Sequence, residues 1–578
     1  MTKELYRITV VFVVLMLGTG ALFAQHVDIE DIANVRERRL IGASGSVSAN
    51  STFHDATEMF GRQPFIWQLN GTLNVSLLEM INMPVSFSLN NFGSQHSFPS
   101  LPNRLSLHPS YRWARAHIGD VSMVFSPYTL NGHLFTGGGI ELTPGRWQIA
   151  AMGGRLLRRV DYNPEIPGLL PTYNRWGTGA RVRYNGDRFF VGGSVFAAED
   201  RPGEISFQAD SLGIFPMSNI ATSLEMGVNI TSNLRFSVEY GISRLVRDTR
   251  PIINTETGEA QPRSNAAHLY HAVRMSLDYT FFRNTIGIGY ERIDPEYRTL
   301  GAHFFNNDYE NVTLNFARPL FNSRGNIALR GGVQRDNLNN TNESENTRFV
   351  GSANLSYAPS ESVNMGLSVS TFQGHRVLRS QFDYINQMRP YENLDTLNFT
   401  QISQNIDFNL TWMLPSNEAL PQNLTFFASY QEAADRQGNY ILPGNLSRFL
   451  NAMAMYSIDV TSINTHFNVG VNVSNNYSNR RNFLTLGPTL AVNKRLFERR
   501  LMTGLAFSYN RSMEESVPMA DVFNIRWNAN TRIFGQHNLQ ASMMWQHQTR
   551  MMQEPVHRTR VFTAQIGYVY NFGIRNRN

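Results

Sequence analysis

Residues 40–572 alternate apolar and polar side chains with a period of two, in segments of roughly ten residues. The last segment puts Phe562, Ala564, Ile566, Tyr568, Tyr570 and Phe572 on one face and Thr563, Gln565, Gly567 and Asn571 on the other. Residues 403–412 set Ile406, Phe408, Leu410 and Trp412 against Asn405, Asp407, Asn409 and Thr411. Residues 465–474 set Phe467, Val469, Val471 and Val473 against His466, Asn468, Gly470, Asn472 and Ser474. Successive side chains of a strand point to opposite faces, so each segment predicts a strand with one apolar and one polar side. Alternation alone does not separate a soluble sandwich from a membrane barrel.

The connections do. Short links at residues 185–187, 231–233, 359–362 and 459–462 alternate with long ones at 158–174, 247–265, 292–307, 337–346, 373–397 and around Arg480. Outer-membrane barrels pair short periplasmic turns with long extracellular loops in this way, whereas a sandwich has no reason to sort its loops by parity. Trp176, Tyr184, Tyr279, Tyr357, Trp412 and Trp527 fall near strand ends, as an interfacial girdle requires. Twenty-five strands are plain, and residues 111–142 decide the parity. There the pattern predicts a descending strand at 111–118, a turn at Gly119-Asp120, an ascending strand at 121–130 and a descending one at 133–142. The expectation is all-β: a single large transmembrane antiparallel up-and-down β-barrel of about 26 strands, with 24 as the alternative.

Composition fits this reading. The chain has 578 residues, well beyond the about 250–300 at which a single soluble core stops growing, yet no Pro, Ser or Gly-rich linker divides it. A barrel grows around its circumference and escapes that limit. Aromatics are 12% and charged residues only 17%. The mean hydropathy of −0.29 looks soluble because every second residue of a barrel faces a wet interior. A net charge of +6 is small for this length, and without a basic run it does not point to nucleic acid. Cysteine is absent, which removes disulfides, thiolate metal sites and a lipoprotein anchor.

The N-terminus reads as an export signal over residues 1–24. Lys3 and Arg7 precede an apolar run at 8–22, and Ala24 offers a cleavage point. Residues 25–39, with Val27, Ile29, Ile32 and Val35 at helical spacing, form a short periplasmic segment, either a helix or a disordered leader. The barrel then occupies 40–572, and 573–578 form a periplasmic tail. After the signal no apolar run reaches about 18 residues, so no transmembrane helix is expected.

Chemistry is sparse. No His-x-x-x-His pair with a nearby glutamate and no Gly-x-Ser-x-Gly elbow occurs, so neither a catalytic nor a metal site is expected, and no cofactor. Gly137-Gly138-Gly139 predicts a bend, a bulge or the close approach of another segment. The lumen face does carry charge at Arg175, Arg181, Arg183, Glu225, Arg235, Glu239, Arg274 and Asp278, joined by Glu291, Arg526 and Arg532. Two readings stand: a charged pathway that selects a solute, or cross-strand pairs that neutralise one another. The Arg175/Arg181/Arg183 row reads as the least compensated.

The stretches Gly289-Tyr290-Glu291-Arg292-Ile293-Asp294-Pro295, Leu300-Gly301-Ala302, Phe305-Asn306-Asn307-Asp308-Tyr309-Glu310-Asn311 and Phe125-Ser126-Pro127-Tyr128-Thr129-Leu130-Asn131-Gly132 resemble those of large outer-membrane β-barrel proteins of the Bacteroidota. The resemblance implies location and fold rather than activity. The chain departs from TonB-dependent transporters, which carry a plug domain ahead of the barrel, and from terminal strands that end on an aromatic. The functional expectation is a channel or transporter moving a polar solute, polymer or polypeptide across the outer membrane. The alternative is a non-conducting barrel subunit of an envelope secretion, surface-assembly or adhesion complex. Expected partners are outer-membrane lipid and lipopolysaccharide, the barrel-assembly machinery, and envelope proteins met through extracellular loops or the N-terminal segment. Both termini are expected in the periplasm.

Overall fold

The computed structural model describes residues 41–573, except 58–63, 79, 92–103, 162–170, 202–212, 251, 254–259, 262–266, 304, 340–346, 372–375, 378–397, 400–401, 438–439, 479–480 and 552–555. The expected leader, the 25–39 segment and residues 574–578 lie outside the described residues, as do most of loops 337–346 and 373–397. Among the described residues no helix is long and apolar enough to cross a membrane.

Consecutive strands pair antiparallel around the whole molecule. The first, Ile41–Ala56, then pairs with the last, His557–Gly573, from Ser44 opposite Gly573 to Ala56 opposite Val561. The sheet therefore has no edge. It contains 27 segments, but Arg104–Leu107 and Ser110–Tyr111 lie end to end between the same neighbours, Ile81–Asn90 and Ala114–Val124. They form one stave broken at His108-Pro109, where proline has no N–H to give the ladder. Counted so, the described residues make a closed antiparallel barrel of 26 strands.

The strand that restores the even count is not the expected one. Residues 111–118 do not descend to a turn at Gly119-Asp120. Ala114–Val124 is one continuous strand, kinked where Gly119 takes a φ of +98°, a conformation open to glycine. Asp120 stays in the wall, accepting the Leu105 N–H at 3.0 Å and the Thr136 hydroxyl at 2.5 Å. The missing stave is 104–111, whose short broken run hides its alternation.

Parity of the connections holds except at residues 438–439, 479–480 and 515–516, where two residues join the strands at the loop end. The turns after Leu77, Tyr111, Asn185, Asn229, Phe281, Leu320, Ser360 and Ile533 are tight, and all lie at the barrel end that also receives both chain ends. The connection around Arg480 is not long: Thr465–Ser478 and Arg481–Leu496 run on until two residues join them. Here the strands lengthen in place of the loop, and Tyr440–Val460 reaches 21 residues, about twice what a tilted strand needs to cross the hydrocarbon.

Side chains sort by face. Leu224, Ile288, Leu314, Phe349, Val469, Leu490 and Ile566 stand exposed on the outer surface, while their neighbours in sequence point inward. So large an apolar surface is not tolerated in water, and a closed barrel is one of two backbone arrangements that satisfy every N–H and C=O in lipid. At the tight-turn end Trp147, Tyr184 and Phe189 form an aromatic row, with ring centroids 4.9 and 5.9 Å apart. Leu314→Arg, at mid-strand on the outer face, is expected to destabilise the folded protein in vesicles by about 2–4 kcal/mol, and its lumen-facing neighbour Asn315→Arg by under about 1 kcal/mol. Denaturant unfolding of the two reconstituted variants measures the difference.

Candidate functional site: a loop-filled lumen

In Ala114–Val124, Asn131–Leu142, Trp147–Leu157 and Phe189–Asp200 the inward face is apolar as well. Val121, Met123, Phe135, Met152, Leu156 and Phe196 are buried there. A barrel of this size has no side-chain core of its own at the wall, so something covers them. Two inter-strand loops do so.

The first loop, residues 125–130, is folded back on itself: the Phe125 and Ser126 N–H groups both donate to the Leu130 carbonyl, at 2.8 and 3.3 Å. The Ser126 hydroxyl accepts the Tyr128 N–H at 3.0 Å. The second, residues 294–308, is pinned at its ends by the Asp294 carbonyl, which accepts from Tyr297 and Asp308, and by Asn307, whose side chain donates to the Tyr297 carbonyl at 2.9 Å. The two loops bind each other. The Tyr297 hydroxyl donates to the Tyr128 carbonyl (2.8 Å), the Thr299 hydroxyl to the Thr129 carbonyl (2.6 Å), and the Asn131 N–H to the Gly301 carbonyl (2.9 Å). Tyr128, Leu130, Tyr297 and Leu300 are essentially inaccessible to solvent; burying side chains of this kind stabilises the assembly by about 1.5–3 kcal/mol each.

The wall beneath is built to receive them. Leu300 donates its N–H to Asn219 (3.1 Å), whose amide donates to the Ser243 hydroxyl (2.7 Å), which donates in turn to the Arg298 carbonyl (2.6 Å). Thr129 meets Ser194 and Ser194 meets Ser223, each at 2.8 Å. Gly241 lies under the Tyr128 ring, where a Cβ would stand 2.7 Å from the Tyr128 Cβ. The triple glycine behaves as the close-approach reading predicts: Gly139 faces the Met123 side chain with no room for a methyl group between.

Below the loops a belt of charge runs around this half of the wall at one level. Strand register aligns Arg183, Gly192, Glu225, Glu239, Arg274 and Glu291 across six neighbouring strands. Glu225 spans the bare Gly192 to bond Arg181 (Oε1 to Nη2, 2.6 Å) and Arg183 (Oε2 to Nη1, 3.1 Å). Arg183 also lies 3.8 Å above the Phe190 ring. Glu225 and Glu239 are directly opposite, an arrangement that repels. The arginines relieve it from one side, and the Ser126 hydroxyl, which donates to Glu239, from the other. Arg274 pairs with Glu291, and Glu291 also accepts the Tyr128 hydroxyl at 3.3 Å. The belt therefore carries the first loop.

The structure thus brings Arg181, Arg183, Glu225, Glu239 and Arg274 into one network. Arg175 lies apart, closer to the loops, in a bidentate pair with Asp200 at 2.8 and 2.9 Å. Arg235 and Asp278 face each other two inward positions nearer the tight turns; Arg235 sits 5.8 Å from the Phe190 ring and Asp278 accepts the Ser276 hydroxyl at 3.2 Å. In the Arg175/Arg181/Arg183 row, Arg175 holds the Asp200 carboxylate, whereas Arg181 and Arg183 share that of Glu225. The partners sit on strands one or two away, which alternation within a single strand cannot reveal. Sequence reading also missed the loops as lumen residues, although strands apolar on both faces were a signal that something covers them.

The opposite wall is different. From Ile402–Leu414 through the seam to Ile81–Asn90, inward side chains are mainly Asn, Ser, Thr and Gln, hydrogen-bonded to neighbours on the same wall: Asn472 to Asn510 (2.9 Å), Ser474 to Asn451 (2.8 Å), Ser429 to Asp407 (2.8 Å) and His54 with Thr563 (2.7 Å). A recess of about 350 Å³ opens there, lined by Ser46, Ser48, Asn70, Thr72, Ser86 and Ser106 among others. Among the described residues no group of three or more His, Asp or Glu side chains is placed to hold a metal ion.

An apolar exterior, a closed sheet and a polar, loop-filled lumen define a transmembrane β-barrel protein. No known family pattern matches the chain, and no curated protein does. Among solved structures it is similar to the translocation pore of the P pilus usher PapC, at 9% identity and a TM-score of 0.40 over 93% of this chain and 100% of that one. It is also similar to the copper transporter OprC, at 10% and 0.36 over 92% and 81%. A third is the ferric enterobactin receptor PfeA of Pseudomonas aeruginosa, at 10% and 0.33 over 92% and 80%. At these values function rests on the chain's own residues.

The buried Arg175–Asp200 pair gives a direct test of the wall. Asp200→Ala strands a guanidinium and is expected to cost about 3–5 kcal/mol, while Arg175→Met with Asp200→Leu recovers most of the loss. Denaturant unfolding of the single and double variants reads both.

Proposed function

We propose that this chain is an outer-membrane channel for a polar solute, with loops 125–130 and 294–308 acting as a fixed constriction. One observation carries the reading: the loops occupy only the side of the lumen bounded by strands from Ala114–Val124 to Tyr309–Leu320, whereas the Asn- and Ser-lined side presents polar groups to the interior. A barrel of 26 strands is wide enough to leave space beside such a filling, since diameter grows with strand number. Tight turns at the end that holds both termini support a periplasmic position for that end. The charged belt then serves chiefly to hold the constriction, and the Asn- and Ser-rich wall lines the path.

Planar-bilayer recording of the purified protein tests this. Wild-type protein is expected to give discrete conductance steps. Gly241→Val, which drives a side chain into Tyr128, is expected to raise the step size by about twofold as the loop leaves the lumen. Glu225→Gln, which frees two guanidiniums, is expected to shift permeation towards anions. Absence of conductance from both proteins, together with stoichiometric co-purification of other envelope proteins, would establish the non-conducting subunit instead.

A further inference from the structure

Four tight turns carry a phenylalanine where a hairpin of this kind favours Asn or Gly. Phe282 follows Ala267–Phe281, Phe321 follows Tyr309–Leu320, Phe497 follows Arg481–Leu496 and Phe534 follows Val517–Ile533. Their φ values are 50°, 51°, 51° and 49°. Left-handed turns match the twist of the strands, but a bulky residue in that region is a steric outlier. Leu78, with φ 53°, repeats the pattern in the turn after Phe65–Leu77. Turn geometry alone does not select these residues, and packing does not either: Phe282 is 99% exposed, Phe534 91%, Phe497 73% and Phe321 62%. All four stand at the same end of the barrel.

Three of them have an arginine close by in the same turn: Arg283 for Phe282, Arg324 for Phe321, and Arg499 with Arg500 for Phe497; Arg532, two residues before Phe534, belongs to the lumen face of its strand. Among the described residues none of these four turn arginines pairs with a carboxylate; Arg324 reaches only a backbone carbonyl, that of Pro359. The phenylalanines also continue the lipid-facing wall. Each follows the last outward residue of its strand, and the Phe321 ring lies 4.9 Å from that of outward-facing Tyr357. Phe282 follows directly on the stacked pair Tyr279 and Phe281.

We propose that these turns are binding sites for anionic phospholipid of the adjoining leaflet, each phenylalanine entering the boundary between headgroups and acyl chains while, at Phe282, Phe321 and Phe497, the neighbouring arginines hold a phosphate. An apolar ring beside an uncompensated guanidinium matches the two halves of that ligand. Arginine binds phosphate through a planar, weakly hydrated fork, and basic residues at a membrane surface attract anionic headgroups. Continuity with the outer wall selects lipid over a soluble partner. The inference rests on the membrane-spanning reading and is independent of conductance.

Because the chain has no cysteine, Phe282→Cys and Phe534→Cys in the full-length protein each take a single bimane label. The labelled proteins are reconstituted in phosphatidylcholine vesicles with and without phosphatidylglycerol, and heat-modifiable gel mobility checks that they are folded. Brominated acyl chains are expected to quench the label at least about threefold more than aqueous iodide does when phosphatidylglycerol is present. Native mass spectrometry of the wild type should retain phosphatidylglycerol, and a variant combining Arg283→Gln, Arg324→Gln, Arg499→Gln and Arg500→Gln should lose it several-fold. Quenching mainly by iodide would overturn the proposal, as would retention of phosphatidylglycerol by the arginine variant. Protection of the label only on adding soluble envelope proteins would overturn it in favour of a protein partner.

Discussion

Everything in this structure depends on the need to pair every backbone N–H and C=O where no water can reach them. In a sheet that need is met only by closure, and here closure is the pairing of Ile41–Ala56 with His557–Gly573. Once the sheet is closed, the two faces of each strand meet different solvents, and the period-two pattern follows as a requirement of both. Width follows too. A ring of 26 strands encloses more space than wall side chains can fill, so the interior must be wet, occupied by other segments, or divided between the two.

The chain divides it. On one side the wall carries apolar residues and a belt of opposite charges, and two loops descend onto both. The arrangement is economical in side chains because the register leaves gaps where they are needed. Gly192 lets one glutamate bridge two arginines, and Gly241 admits a tyrosine ring. A loop held to the wall by Ser126, Tyr128 and Thr129, and to a second loop by three hydrogen bonds, moves only if several buried partners separate together. On the other side amides and hydroxyls predominate along the wall, hydrogen-bonded in part to one another, with isolated charges such as Asp407 among them.

Much of the barrel was legible in the sequence because its two determinants are local: alternation is visible over ten residues, and the sorting of short and long links over thirty. The count of 26 was also legible, though through the wrong strand, since the kink at Gly119 resembles a turn and the stave at 104–111 is too short and broken to show a period. The site was legible only in part. Inward charges such as Arg181 and Glu225 could be assigned to the lumen strand by strand, but their pairing depends on register across neighbouring strands. Loops 125–130 and 294–308 stood out as motifs, yet nothing local says that residues nearly 170 positions apart meet inside the barrel.

The seam has a consequence for how the molecule is made. His54 and Thr563 hydrogen-bond across a sequence separation of 509, so the contact that completes the ring joins the earliest and the latest strands to be delivered. Until the final strand arrives, two unsatisfied edges face either lipid or other chains, and such edges invite mispairing. Long-range closure of this kind is slow, so in a sheet of this circumference both edges stay open until the last strand is in place. The same adjacency means that the order of strands around the ring does not depend on where the chain starts: a permuted chain opened at any tight turn would trace the same circle.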